Sequence, residues 1–353
     1  MVATAPLGRS RGHHRAVLVA VSGQVSCPPL GSSYCPLTRL DIERVRAARE
    51  VIDPVFLDSP LYGSERLGDV LGCDLSVKLE SANPVRSFKG RGAEVAAAGL
   101  LQSGQRSVVC ASAGNLGLAL AWAGRSRGVE VTVVASRHAP TVKLDSIRAV
   151  GAQLELVDGD HELARERAGE LAEIRGVRLL EDSLDVETVD GAATIGLELA
   201  EAALPHDAVL VALGGGALAT GVGFVMKALT PTTEVLCVQP QGAPALTLSW
   251  HQRRVVSTAT AVTIADGVAG RFPIQEVLDD LLVVADDAVL VGEESIVIAM
   301  RLLLEHAGLV VEPSAALGIA AILETPERFA NRRVATIICG SNVDPDAYRR
   351  WIR

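Results

Sequence analysis

The sequence predicts an α/β protein of two lobes, each a mostly parallel sheet flanked by helices. Three observations carry this expectation. Short apolar strands alternate with helical stretches from residue 75 to residue 339, the pattern of strand–crossover–strand units. The apolar share is 49% and the aromatic share only 3%, so Ala, Val and Leu must build the core, as in buried parallel strands covered by closely approaching helices. At 353 residues the chain exceeds the roughly 250–300 residues that one hydrophobic core sustains, which calls for a second lobe.

Taken in order, residues 1–35 hold two histidines, clustered arginines and the breaks Cys27-Pro28-Pro29 and Gly31-Ser32-Ser33. They have no sustained periodicity and read as a poorly ordered N-terminal extension. A short helix is expected over 42–51, a strand over 75–79 and an Ala-rich helix over 92–101. Strand 107–111, helix 117–125, strand 129–135 and helix 142–150 follow, the last stopped by Gly151. Strand 154–157 and helix 162–174 repeat the unit. Helix 188–204, strand 208–213 and helix 221–229 come next, with further strands at 235–239 and 281–284. Ile296, Met300, Leu303 and Leu304 fall at helical spacing within 293–306, and a helix over 315–323 precedes the last strand, 334–339. The expected division is a small lobe of residues 107–184 and a large lobe of 36–106 plus 185–353.

Composition removes several function classes. Thirty-three Lys+Arg against 42 Asp+Glu leave a net charge of −9, without a basic face for a nucleic-acid duplex. The scarcity of aromatics argues against stacking on single strands. The six cysteines (27, 35, 73, 110, 237 and 339) have neither CxxC nor zinc spacing and read as reduced thiols, with no metal site. Arg9, Arg11 and Arg15 precede an apolar run of only 16–21, shorter than the ~7–15 residues of a signal-peptide core. Residues 208–226 are long enough for a membrane span, but glycines at 214, 215, 216, 221 and 223 make strand, turn and helix the better reading. A cytoplasmic protein that binds neither nucleic acid nor membrane is expected.

Glycine-containing turns directly after strands mark where open α/β sheets bind ligands. In Asn83-Pro84-Val85-Arg86-Ser87-Phe88-Lys89-Gly90-Arg91-Gly92, a lysine sits at a loop-to-helix junction beside Phe88. Partial burial of such a lysine frees its amine as nucleophile and base, while the ordinary alternative is a surface lysine capping a loop. In Cys110-Ala111-Ser112-Ala113-Gly114-Asn115-Leu116-Gly117, small residues let backbone amides converge on an anion at a helix start, and Asn115 adds a side-chain donor. Ser112 as a plain helix cap and Asn115 as a turn residue remain open. Gly214-Gly215-Gly216-Ala217-Leu218-Ala219-Thr220-Gly221 offers a phosphate cradle, since bare backbone can approach without a Cβ in the way. Its loose match to a dinucleotide fingerprint lacks an acidic residue closing the next strand, where Gln239 stands instead. Cys339-Gly340-Ser341-Asn342 ends the last strand, and a lone cysteine there is otherwise inert core.

The order of these segments is more specific than any one of them. With Glu312-Pro313-Ser314 they span residues 83–342, about three-quarters of the chain, in the sequence found in fold type II (tryptophan synthase β-like) pyridoxal 5'-phosphate (PLP) enzymes. Ala111-Ser112-Ala113-Gly114-Asn115 and Thr263-Ile264-Ala265-Asp266-Gly267-Val268-Ala269 resemble the threonine/serine dehydratases within that group. Val142-Lys143, Ile147-Arg148 and Gly151-Ala152 do so as well. The resemblance implies that Lys89 carries PLP covalently and is the catalytic base, with Phe88 flanking the cofactor. Asn115 is implied to donate to the ring oxygen, and Gly214, Gly215, Gly216, Ala217 and Leu218 to bind the phosphate. Cys339 is implied to face the pyridine nitrogen, and Ser112, Ala113, Gly114 and Asn115 to grip the substrate carboxylate. The implied enzyme is a lyase that removes water from L-threonine or L-serine, giving a 2-oxo acid and ammonia, and works as a homodimer on a small amino-acid substrate. A cysteine-synthase-like β-replacement on an activated serine derivative is the alternative; a PLP-binding protein without turnover and a nucleotide-dependent oxidoreductase are further rivals.

Five departures bear on this expectation. Serine racemases carry a second Ser where this chain has Ala113, which removes an acid from the opposite face of the substrate. Leu116 stands where dehydratases commonly have His, and Ala217 replaces a fourth loop glycine. Gln239 and Ala245 stand where relatives with a structural cation have Glu and Asp, so carboxylate coordination of Mg²⁺ or Ca²⁺ is not expected. The chain ends about ten residues after Asn342, where long threonine dehydratases append a regulatory domain, so feedback through one is not expected.

Overall fold

The computed structural model describes residues 38–203 and 205–353. The expected extension over 1–35, with Cys27 and Cys35, lies outside them.

The strands in chain order are β1 (Leu61–Gly63), β2 (Asp74–Leu79), β3 (Ser107–Ala111), β4 (Glu130–Ser136), β5 (Gln153–Val157), β6 (Arg178–Leu180), β7 (Ala208–Ala212), β8 (Glu234–Pro240), β9 (Asp287–Val291) and β10 (Arg333–Ile338). Among the described residues they form two sheets. One is six-stranded in the order β1-β2-β10-β7-β8-β9, the other four-stranded in the order β5-β4-β3-β6. Every pairing is parallel except that of β1 with β2, where Leu61 faces Lys78. Parallel strands need crossovers on the sheet faces, which buries both faces of a central strand. β7 shows the result: Ala208-Val209-Leu210-Val211-Ala212 is buried throughout. β5, at an edge of the small sheet, is only half-buried.

The small-residue composition has a direct structural use. The helices Lys89–Gln102, Val186–Ala200 and Ala217–Leu229 lie against one another in sequence. A Cβ on Gly191 would stand 2.4 Å from the Cα of Gly92, and one on Gly221 would stand 2.7 Å from the carbonyl oxygen of Val189. Only bare backbone permits these crossings. The Lys89–Gln102 helix is also shared between the lobes. Its Ala93, Ala96, Ala97 and Leu100 join Phe56, Val108, Cys110 and Leu120 in the core of the four-stranded sheet, while the six-stranded sheet has its own core around Val209, Val235 and Ile337.

Beneath that helix lies a buried quartet of charges. Arg91, with no exposed surface, donates to Glu80 at 2.8 and 2.9 Å and to Glu198 at 2.5 and 3.0 Å, and Lys78 completes the set on Glu198 and the carbonyl of Ser59. Two cations thus balance two carboxylates, which is the condition for burying either.

One expected element is overturned. Residues 281–284, read as a strand, end the helix Gln275–Val284, and the strand is β9, three residues further on. A continuous run such as Leu281-Leu282-Val283-Val284 fits a helix end as well as a strand. Buried Val277, Leu278, Leu281 and Val284 set a helical phase that the four-residue window does not contain. The lysine helix also begins at Lys89, not at 92. β1, β6 and the helices Glu65–Leu71, Ala245–Gln252 and Pro345–Trp351 were not anticipated.

Candidate active site

The loops that follow β3, β6, β7 and β10 open into one cavity of about 820 Å³. That places it at the carboxyl ends of parallel strands, where this class of sheet binds ligands. Phe88, Lys89, Ser112, Ala113, Gly114, Asn115, Gly214, Gly215, Gly216, Ala217, Leu218 and Cys339 all line it. The sequence-predicted residues are therefore brought together from positions as far apart as Phe88 and Cys339.

Lys89 is placed by a short backbone pairing. The amide of Phe88 donates to the carbonyl of Cys339 at 3.0 Å, that of Ser341 donates to Arg86 at 2.9 Å, and Ser87 bridges Gly340. The segment before the lysine is thus fastened to the end of β10. Lys89 is half-buried, its Nζ 4.6 Å above the Phe88 ring and 2.7 and 2.6 Å from the two carboxylate oxygens of Asp182, in the loop after β6.

The glycine loop after β7 is held in a shape that excludes side chains. Gly216 has φ +112°, and a Cβ there would lie 2.2 Å from Val277 Cγ1. A Cβ on Gly215 would lie 2.8 Å from Ser183 Oγ, which in turn accepts from the amide of Ala217 at 3.0 Å. The loop leads into the N-terminus of the Ala217–Leu229 helix, whose first amides have no intrahelical acceptor and whose dipole favours an anion. Ala217, replacing a loop glycine, sits inside that helix and needs no unusual backbone.

On the opposite wall, Ser112 Oγ accepts from the amide of Gly114 at 3.2 Å, and Gly114 leads into the Asn115–Arg127 helix. Asn115 donates to both oxygens of Glu312 at 3.0 and 3.1 Å, and its own oxygen accepts from Asn342 at 2.8 Å. Ser314 adds a donor to Glu312 at 2.8 Å. Burial pushes the Glu312 carboxyl above its ordinary range, and the Asn115 and Ser314 donors only partly offset it. Burial, reinforced by neighbouring Glu312, likewise pushes the Cys339 thiol up, so it is a neutral group at neutral pH.

Charged residues line the rim in matched pairs. Arg271 meets Asp160 at 3.0 Å and Glu162 at 2.6 Å, Arg165 meets Glu181 at 2.6 Å, and Lys143 meets Asp266. Gln239 is fully buried with its Oε1 accepting from the amide of Thr247 at 3.0 Å, and Ala245 begins a helix. Asp182, Ser183 and the rim pairs escaped the sequence reading. A short acidic loop after an unrecognised three-residue strand carries no local signal.

A lysine at a helix start, a glycine cradle at a helix N-terminus and an amide donor between them define the site of a two-lobed α/β enzyme that binds a phosphorylated aldehyde cofactor. Residues 52–340 match the family described as pyridoxal-phosphate dependent enzyme, and the chain belongs to that family. The L-threonine ammonia-lyase of Thermotoga maritima is 32% identical over 314 residues, 89% of this chain and 78% of that protein. A serine racemase of Oryza sativa subsp. indica is 30% identical over 316 residues, 86% of this chain and 91% of the relative. The structure of processed threonine deaminase isoform 2 from Solanum lycopersicum superposes with a TM-score of 0.84 at 28% identity, covering 95% of this chain and 93% of that one. PLP is thus the cofactor, and the residues present fit it: a cradle that a Cβ would fill, a reachable amine and a buried thiol that brings no charge.

Proposed function

We propose that this enzyme removes water from a small β-hydroxy amino acid, L-threonine or L-serine, and releases a 2-oxo acid and ammonia. The observation that carries the reading is the neutral, buried Cys339 in the same cavity as Lys89 and the Ser112–Asn115 loop. Lys89 would hold PLP, Gly214–Leu218 its phosphate, and Cys339 would lie at its ring nitrogen. When bound, PLP supplies an electron sink beside the substrate's Cα. A thiol at the ring nitrogen holds a proton there less firmly than a carboxylate does, which favours prompt loss of a β-substituent. The Ser112–Asn115 amides bind the substrate carboxylate at a helix N-terminus. Lys89 Nζ removes the Cα proton as general base, and lobe closure excludes water.

Two features support the choice of substrate. Lys89, Lys143, Arg165 and Arg271, the lysines and arginines lining the cavity among the described residues, each bond a carboxylate that also lines it. None is left to receive a second substrate carboxylate, which favours threonine and serine over diacids. Ala113 follows Ser112 and carries no acid to deliver a proton to the opposite face, which favours elimination over racemisation.

The test is incubation of the PLP-loaded enzyme with L-threonine and with L-serine, following 2-oxo acid and ammonia. Equal release of both is expected. Turnover only after a thiol or amine is added would indicate β-replacement instead, and appearance of the D-isomer without oxo acid would indicate a racemase.

A further inference from the structure

Nothing in the reaction described so far uses Asp182. Among the described residues it is the one carboxylate bonded to the lysine, 2.6 and 2.7 Å from Nζ, with a third of its side chain exposed. Its loop is fixed on both sides. The amide of Ser183 donates to Thr188 Oγ1 at 3.1 Å, and Ser183 Oγ accepts from the Ala217 amide of the phosphate cradle at 3.0 Å. Ser183 itself is buried and takes φ +66°, a left-handed backbone that a serine adopts only under constraint. The strained turn aims Asp182 between the lysine and the cradle: a Cβ on Gly215 would lie 3.7 Å from Asp182 Oδ2.

We propose that Asp182 is the positioning residue of Lys89, a counter-carboxylate that aims Nζ and holds the positive charge this nitrogen carries. The assignment rests on Lys89 as the cofactor lysine. A carboxylate touching a cationic nitrogen favours its charged form, by one unit or more where the pair is shielded from solvent. Nζ would hold PLP, where a touching carboxylate would favour positive charge on it, and it becomes cationic when it takes the Cα proton. In that step the C–H bond breaks, an N–H bond forms on Lys89, and the ammonium lies against Asp182, which exchanges no proton itself. Among the described residues the Cys339 thiol also feels the Lys89 charge, and Glu312 beside that thiol is bound by Asn115 and Ser314. Arg165 is engaged by Glu181 and does not compete for Asp182.

The experiment is a pH titration of the visible absorbance of PLP-loaded D182N and D182E, with steady-state kinetics on L-threonine alongside. In D182N the midpoint of the absorbance titration is expected to fall by about one unit, because the positive charge has lost its partner. The turnover number is expected to drop about tenfold while KM changes less than about threefold, the signature of a group that acts on the reacting lysine and not on substrate binding. D182E, which keeps the charge, should retain most of the wild-type midpoint. An asparagine variant that titrates and turns over like wild type would overturn the proposal, as would a D182E midpoint displaced as far as that of D182N. If D182N melts early, D182S and D182E carry the same comparison. The titration needs no substrate, so an enzyme that holds PLP but leaves threonine and serine untouched would refute the proposed reaction and still test Asp182.

Discussion

The two walls of the cavity are built differently. On the side of the six-stranded sheet, the glycine loop follows a wholly buried strand, is forced by Val277 and Ser183 to stay free of side chains, and leads into a helix packed through glycine contacts. On the side of the four-stranded sheet, the Ser112–Asn115 loop, Lys143, Asp160 and Glu162 reach across the cavity by polar bonds: Asn115 to Glu312, Asn342 to Asn115, Lys143 to Asp266, and Arg271 to Asp160 and Glu162. Tight packing resists displacement, whereas the exposed rim pairs, Lys143 with Asp266 and Arg271 with Asp160 and Glu162, break at little cost. The proposed function accordingly gives the first wall the cofactor and the second a part in closing over substrate. Lys89 stands at the seam, its segment fastened to β10 and its helix packed into the small-sheet core.

The contrast can be broken at four places, in order of decreasing effect. Lys89→Ala should abolish the visible cofactor band and lower turnover at least about a thousandfold, since amine, base and attachment are lost together; absorbance and oxo-acid release measure both. Arg91→Met should cost roughly 3–5 kcal/mol, because Glu80 and Glu198 remain buried without their cation. Urea unfolding across pH adds a sign. Burial alone would raise the Glu198 carboxyl, but Arg91 and then Lys78 outweigh it and hold it below its ordinary range. Its contribution is present above the unfolded value of about 4.3 and disappears as pH falls through the lower folded value. The Glu198→Gln variant should lose that acid-side slope.

Gly216→Ala comes third. Its Cβ meets Val277 in a left-handed backbone, an overpacking cost of about 1–3 kcal/mol, and PLP affinity measured by equilibrium dialysis should fall with it. The smallest effect is expected of Arg271→Gln, which cuts one rim clasp. It should raise KM for threonine about two- to fourfold with turnover little changed, and added salt should reproduce much of the rise in wild type. A large loss of stability from this substitution would mean that the small-sheet wall is as rigid as the other.

Much of the scaffold could be read from the chain because its strands are short Val/Leu runs that end in glycine or small polar turns. The glycine loop and Lys89 were legible as candidates for the same reason: Gly214–Gly216 and Lys89 sit in local patterns whose chemistry depends on backbone shape. The failures have a common cause. Residues 281–284 took their helical phase from Val277, outside the window that was read. Asp182 acquires its meaning only through contact with a lysine 93 positions earlier. Glu312 was seen as part of a motif, but its bonds to Asn115 and Ser314 depend on a meeting of two lobes that no local pattern encodes.

The most direct test of the proposal that Lys89, at the seam between the two walls, anchors the cofactor is reductive trapping. PLP-loaded enzyme is treated with borohydride, digested, and its pyridoxyl-bearing peptide identified by mass spectrometry. The account predicts a single modified lysine, Lys89. Modification of Lys143, or of any other lysine in its place, would contradict it.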